Sequence, residues 1–101
     1  MTLHLNTADL TCIKFTLVNG KDVIAQYSQD MPPHSTHLTL PHLEKFLASA
    51  GYAPQNTTHT ITKISLYKGE GSPTGLRLGS AIAQALSLAW NIPLSLTNKM
   101  Y

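Results

Sequence analysis

The stretch GEGSPTGLRLG, residues 69–79, gathers four of the six glycines and the single arginine of a 101-residue chain. It lies between a strand-like run and a long apolar segment, a setting where the free N–H groups and dipole of a helix N-terminus can hold an anion. The two common phosphate patterns fit it badly. A P-loop needs Lys and then Ser or Thr after its last glycine, whereas Gly75 is followed by Leu76 and Arg77. The dinucleotide fingerprint reads G-x-G-x-x-G, and here an extra residue separates Gly71 from Gly75. Glu70 also places a negative charge where a phosphate would sit. The same residues build a turn without any ligand. Ser72 can cap a helix, Pro73 suits the first helical position, and Gly69 and Gly71 permit a tight entry. Thr74 and Gly75 then begin the helix, and the turn-and-cap reading is favoured.

Other reactive side chains form no familiar constellation. His34 and His37 share helical spacing, but two ligands are too few for a metal, and His4, His42 and His59 lack metal-type spacing to them. No H-E-x-x-H and no nucleophile elbow is present. Cys12 falls within a strand-like run and reads as a core residue rather than a nucleophile. Asp9, Asp22, Asp30, Glu44 and Glu70 suggest no catalytic pair. No catalytic residue, metal or cofactor is expected. Arg77 opposes the dipole near a helix start, so it needs an anionic partner: either Glu70 or Asp9, or a carboxylate across an interface.

The elements that position these residues follow from periodicity. Residues 2–7 alternate, residues 11–18 (TCIKFTLV) are β-branched and aromatic, and Asn19-Gly20 is a hairpin signal leading into residues 21–27. Pro32-Pro33 ends this meander. From 34 to 50 the period becomes helical, with Leu40, Leu43, Phe46, Leu47 and Ala50 on one face. Ser35 or Thr36 is the expected cap and Gly51 the stop, while Pro41 kinks the helix or marks its true start. A polar loop over 52–60, a strand over 61–67, the glycine loop, a helix to Trp90 and a strand over 92–97 complete a β-β-β-α-β-α-β order.

On the second helix, Leu78, Ile82, Ala85 and Ala89 form one stripe, and Gly75, Gly79, Ala83, Leu86 and Trp90 widen it beyond the usual arc of about 100°. Arg77, Ser80, Gln84 and Ser87 are the only clearly polar strip. The small series Gly75, Gly79, Ala83 admits a close neighbour, either the domain's first helix or a helix of another chain. Leu76, Gly79, Ala83, Leu86 and Trp90 are therefore the expected partner-binding residues. Composition agrees: only 12% of residues are charged, about half the usual share, which leaves surface for a partner to cover. The net charge of +2 comes from scattered lysines and argues against gripping a nucleic-acid backbone directly. One cysteine, no secretory pattern and no membrane-length apolar run lead to the expectation of a single cytoplasmic domain over 1–101, with no membrane role.

The loop, its alanine-rich helix and the following Asn91-Ile92-Pro93-Leu94 resemble the TsaB family, whose loop reads G-P-G-S-F-T-G-L-R-[IL]-G. Gly69, Gly71, Ser72, Thr74, Gly75, Leu76, Arg77, Leu78 and Gly79 match it, as do His34-Ser35, Thr7 and Cys12 elsewhere. The resemblance covers essentially the whole chain. It implies a ribonuclease-H-like (actin-like ATPase) lobe of the α/β class, with a five-stranded mixed sheet and two main helices. It further implies a non-catalytic scaffold in threonylcarbamoyladenosine modification of tRNA. The implied partners are a TsaD-type transferase, a TsaE-type ATPase or a second copy, with tRNA reached only indirectly. Asn6, Glu70 and Pro73 depart from the family's Asp, Pro and Phe, and the family continues into a second lobe where this sequence ends at Tyr101. A lone lobe is expected to bind ATP poorly. The alternative is a nucleotide-binding lobe that uses the loop from Gly69 to Gly75.

Overall fold

A computed structural model of the chain describes residues 1–9, 11–49 and 61–99. The strands are β1 (Thr2–Asn6), β2 (Cys12–Asn19), β3 (Asp22–Asp30), β4 (Lys63–Tyr67) and β5 (Leu94–Thr97). The helices are α1 (Thr39–Ser49), preceded by a 3-10 turn over Thr36–Leu38, and α2 (Pro73–Trp90). The strands form one mixed sheet in the order β3-β2-β1-β4-β5. The β1–β2 and β2–β3 pairs are antiparallel, and β4 runs parallel to β1 and to β5.

Register explains the two faces. Leu17, Leu3, Ile64 and Leu94 lie in one row across the sheet, and Tyr27, Phe15, Leu5, Leu66 and Leu96 in the next. Both rows point to the side where Leu43, Phe46 and Leu47 of α1 and Ala83 of α2 join them in one core cluster, except that Leu96 on the edge strand β5 is left 62% exposed. Side chains alternate along a strand, so the intervening positions fall on the opposite face. There the row reads Gln26, Thr16, His4, Ser65, Ser95 and is polar throughout. At the β3 side of the core, Phe15 stacks on Tyr27 with ring centroids 5.9 Å apart, and Phe46 tilts onto both. The Tyr27 hydroxyl reaches His42 Nδ1 at 2.8 Å, tying α1 to the outermost strand.

Several expectations shift in detail. The β2–β3 hairpin turns on Gly20-Lys21 rather than on Asn19-Gly20, because Asn19 pairs with Asp22. Of the two central residues of this turn, Gly20 alone has positive φ (63°), the type II′ pattern with glycine at its first central position. A bulge opposite Leu17 and Val18 leaves Ile24 half-exposed on the edge strand β3, which carries Asp22 and Asp30 at its two ends. Ser35 does not cap α1 with its side chain; its hydroxyl donates to the Pro32 carbonyl instead. Pro41 falls in the first turn of α1, where no intrahelical bond is lost, so it marks the start rather than a kink. Asn91 ends α2 in the left-handed conformation, φ 54°, with its N–H donating to Ser87. Gly51, Ala50 and the polar loop over 52–60 lie outside the described residues.

The polar face buries a histidine. His4 is 3% exposed between Thr16 and Ser65, and it hydrogen-bonds to the backbone of Lys99, which folds back from β5. Burial holds its imidazole below the ordinary 6.5; the Lys99 backbone bond opposes this and the Lys99 charge adds to it. A histidine with a depressed folded-state pKa favours the neutral form in the fold. Its contribution is complete above 6.5 and is lost as pH falls through the folded value. Thermal unfolding followed at pH 7.5 and pH 5.0 should therefore show a lower midpoint at pH 5.0. His4→Asn should reduce that difference, and an unchanged difference would show that another group causes it.

Candidate functional site: the glycine loop and the faces of helix α2

The glycine loop is a joint between α2 and the end of β1. Ser72 N–H donates to the Ala8 carbonyl at 2.8 Å, and Thr7 Oγ1 donates to the Gly75 carbonyl at 2.7 Å. A Cβ on Gly75 would stand 2.2 Å from the Thr7 carbonyl oxygen, and one on Gly71 would stand 2.4 Å from Ala8 Cβ. On Gly79, a turn further along α2, it would meet Thr7 Oγ1 at 2.4 Å and Leu66 at 3.0 Å. Gly75 and Gly79 recur at one-turn spacing because one edge of α2 is pressed against Thr7 and its neighbours, while Gly71 lets the loop before the helix cross Ala8. Gly69 instead makes room for Tyr67, whose hydroxyl donates to the Glu70 carbonyl at 3.1 Å.

Ser72 caps α2 as expected, its Oγ accepting from Gly75 N–H at 3.3 Å, with Pro73 at the first helical position. Leu76 N–H then donates to the Ser72 carbonyl. Thus the N–H groups of Ser72, Gly75 and Leu76 all serve the chain itself, and Gly71, Gly75 and Gly79 each abut Thr7, Ala8 or Leu66 of the same fold. The β1–β2 turn is held in the same local way. Ala8 N–H donates to Asn6 Oδ1 at 3.1 Å, while the Thr11 hydroxyl and N–H donate to Asp9 Oδ1 at 2.6 and 2.9 Å. The hydroxyl bond, followed by the backbone bond, holds Asp9 below the ordinary carboxylate range.

The faces of α2 correct the expected partner surface. Gly75, Gly79 and Ala83 are buried, and their neighbours are β1 and β4 rather than the first helix or a second chain. Gly79 and Ala83, the latter 0% exposed, are thus unavailable to a partner. Leu76, Leu86 and Trp90 are half-buried, and the last two flank the core. The outward face carries Ala81, Gln84, Ala85, Leu88 and Ala89, all exposed, with Leu78 and Ile82 half-buried beside them. Leu88 is 86% exposed. Sequence reasoning overlooked it, although at about 100° per residue it stands directly opposite Gly79. That opposition was the available signal. Arg77 lies exposed on the rim of this face, and among the described residues it pairs with neither Glu70 nor Asp9.

The remaining candidates stay apart. Cys12 begins β2 half-buried, with Sγ 3.1 Å from Ser28 Oγ on the polar face, so it is not a core residue. His34 and His37 are exposed, and among the described residues no three His, Cys, Asp or Glu side chains converge to hold a metal. No helix among those residues is long and apolar enough to cross a membrane.

The joint makes a sharp expectation. Gly75→Ala drives a Cβ into a carbonyl oxygen that cannot move without displacing β1, so it should cost about 3 kcal/mol or more. Gly20→Ala meets open space and carries only the backbone penalty of positive φ, about 1–2 kcal/mol. Urea unfolding of both variants checks the order, which would be reversed if the loop were free to relax.

Comparison with known proteins agrees with this architecture. A sequence model of the family described as "TsaD: tRNA N6-adenosine threonylcarbamoyltransferase" matches residues 28–101. The curated tRNA threonylcarbamoyladenosine biosynthesis protein TsaB of Bacillus subtilis (strain 168) is 29% identical over 98 residues, covering 97% of this chain and 41% of that protein. YeaZ from Pseudomonas aeruginosa superposes with a TM-score of 0.76 at 22% identity, over 95% of this chain and 42% of its own. Thermus thermophilus RuvC superposes at 0.60 with 6% identity, covering 95% of this chain and 62% of that one, and so shares the ribonuclease-H-like fold alone. The chain thus spans about two fifths of the length of the TsaB and YeaZ proteins it matches. With well over half of its residues matched, and with this sheet order and glycine joint, the chain belongs to the TsaD family as a TsaB-like, ribonuclease-H-like lobe.

Proposed function

We propose that this chain acts in threonylcarbamoyladenosine modification of tRNA as a non-catalytic partner that docks a TsaD-type transferase through the outward face of α2. The observation that carries the reading is the uncovered apolar face of α2, with Leu88 at its crest. A monomeric domain gains nothing by leaving a leucine 86% exposed between alanines on a regular helix, and such contiguous faces mark interaction sites. Burying that one side chain is worth about 1.5–3 kcal/mol. The alanines at 81, 85 and 89 let a second helix approach closely. Leu40 of α1, 44% exposed, is a second apolar contact that the same layer offers. A scaffold role is also supported by loop donors already used within the chain. In this reading a TsaE-type ATPase joins the larger assembly, tRNA is met through the transferase, and a second copy is the competing occupant of the helix layer.

Size-exclusion chromatography with light scattering should show a complex of summed mass when the chain is mixed with the cognate TsaD-type transferase. A clean monomer that ignores the transferase would overturn the proposal. Leu88→Glu should abolish that complex while shifting stability by no more than about 0.5 kcal/mol, as befits an exposed site. Gly79→Leu is no substitute, since its side chain would strike Thr7 and Leu66 and unfold the joint.

A further inference from the structure

The outward face of α2 has one charged residue, and its chemistry says more about the partner than the apolar crest does. Among the 18 residues of α2 the sole charge is Arg77; the helix has no Asp or Glu anywhere, and none in its first turn. Arg77 lies one turn before Ala81 and about 20° around the helix from Leu88, so it borders the face that a partner would cover. It also sits near the positive end of the helix dipole, where a cation is disfavoured and an anion is favoured. Among the described residues no carboxylate offsets this: the guanidinium is exposed and forms no ion pair with them. Covering this rim with an apolar helix would strip water from an uncompensated charge, which is costly. Covering it with a helix that presents a carboxylate would satisfy the guanidinium and the dipole together, in a paired geometry suited to arginine.

Resting on the docking reading above, we infer that Arg77 is the charge-reading residue of this surface and selects a partner helix bearing an Asp or Glu opposite the N-terminal half of α2. A second copy packed α2 against α2 has no carboxylate to offer there, because α2 contains none. Like-with-like pairing of α2 therefore leaves two arginines unanswered, and the carboxylate must come from another element, which the transferase helix is inferred to supply.

Binding of the cognate TsaD-type transferase, measured by calorimetry at 50 and 300 mM NaCl, tests this against Leu88→Glu. Arg77→Ala should weaken the complex about tenfold or more and flatten its salt dependence, since a close interfacial charge pair loses this much on truncation. Arg77→Glu should weaken it further. Replacing a facing carboxylate on the transferase with Arg should restore binding to Arg77→Glu but not to Arg77→Ala. Unfolding midpoints equal to the wild type would show that these variants are folded. If Leu88→Glu abolishes binding while Arg77→Ala and Arg77→Glu stay within twofold of the wild type, the charge inference is wrong and the docking face stands. If Leu88→Glu also binds normally, the docking reading itself fails. A tight homodimer of the chain alone that Arg77→Glu disrupts would overturn the selection of a different chain.

Discussion

Everything in this lobe hangs on one close approach: the carbonyls of Thr7 and Ala8 lie where side chains of α2 would otherwise stand. Helices usually pack on sheets through side chains of intermediate size, which hold the two layers about 10 Å apart. Here Gly75 and Gly79 remove that spacer along one edge of α2, and Gly71 does so in the loop before it, so the start of α2 comes down onto the end of β1. The bond from the Thr7 hydroxyl to the Gly75 carbonyl and the bond from Ser72 N–H to the Ala8 carbonyl then lock the contact at both sides. From this point α2 runs over β4, β1 and β5, burying Ala83 in the common core while Leu86 and Trp90 close its flank. A larger residue at any of the three glycines would tilt the helix off the sheet and uncover both leucine rows.

This constraint also explains why the loop resembles a phosphate site. Anion loops and close-packed joints need the same thing, a backbone without Cβ atoms brought near a helix N-terminus. What distinguishes them is the use made of the donors. Here Ser72 both caps the helix and ties it to Ala8, so the positive end of α2 is turned toward its own fold. The positive charge that remains for the outside is the Arg77 guanidinium.

Much of this was legible in the residues, and the exceptions have physical causes. Alternation in β1 and β2, the helical period of α1 and the Asn91 stop follow from local rules and stand where expected, with boundaries moved by a few residues. The hairpin slipped by one because pairing of β2 with β3 and its bulge, which are non-local, chose Gly20-Lys21 over Asn19-Gly20. The small-residue series on α2 was legible as a close contact but not as a contact with a sheet, since the sequence shows a helix's small edge and not what lies beneath it. Leu88 escaped notice for a related reason. A helix apolar on nearly all sides hides its exposed residues among its buried ones, and only knowledge of which edge touches the sheet separates them.

The placement of Asp22 and Asp30 has a consequence for how this sheet can grow. β3 is nine residues long and forms an open border, the kind of edge that recruits another strand. If two copies met there antiparallel about Gln26, Asp22 of each would face Asp30 of the other. Like charges directly opposite on paired strands repel, and Ile24 at the bulge interrupts the ladder between them. The border thus resists continuous, fibre-like extension through β3.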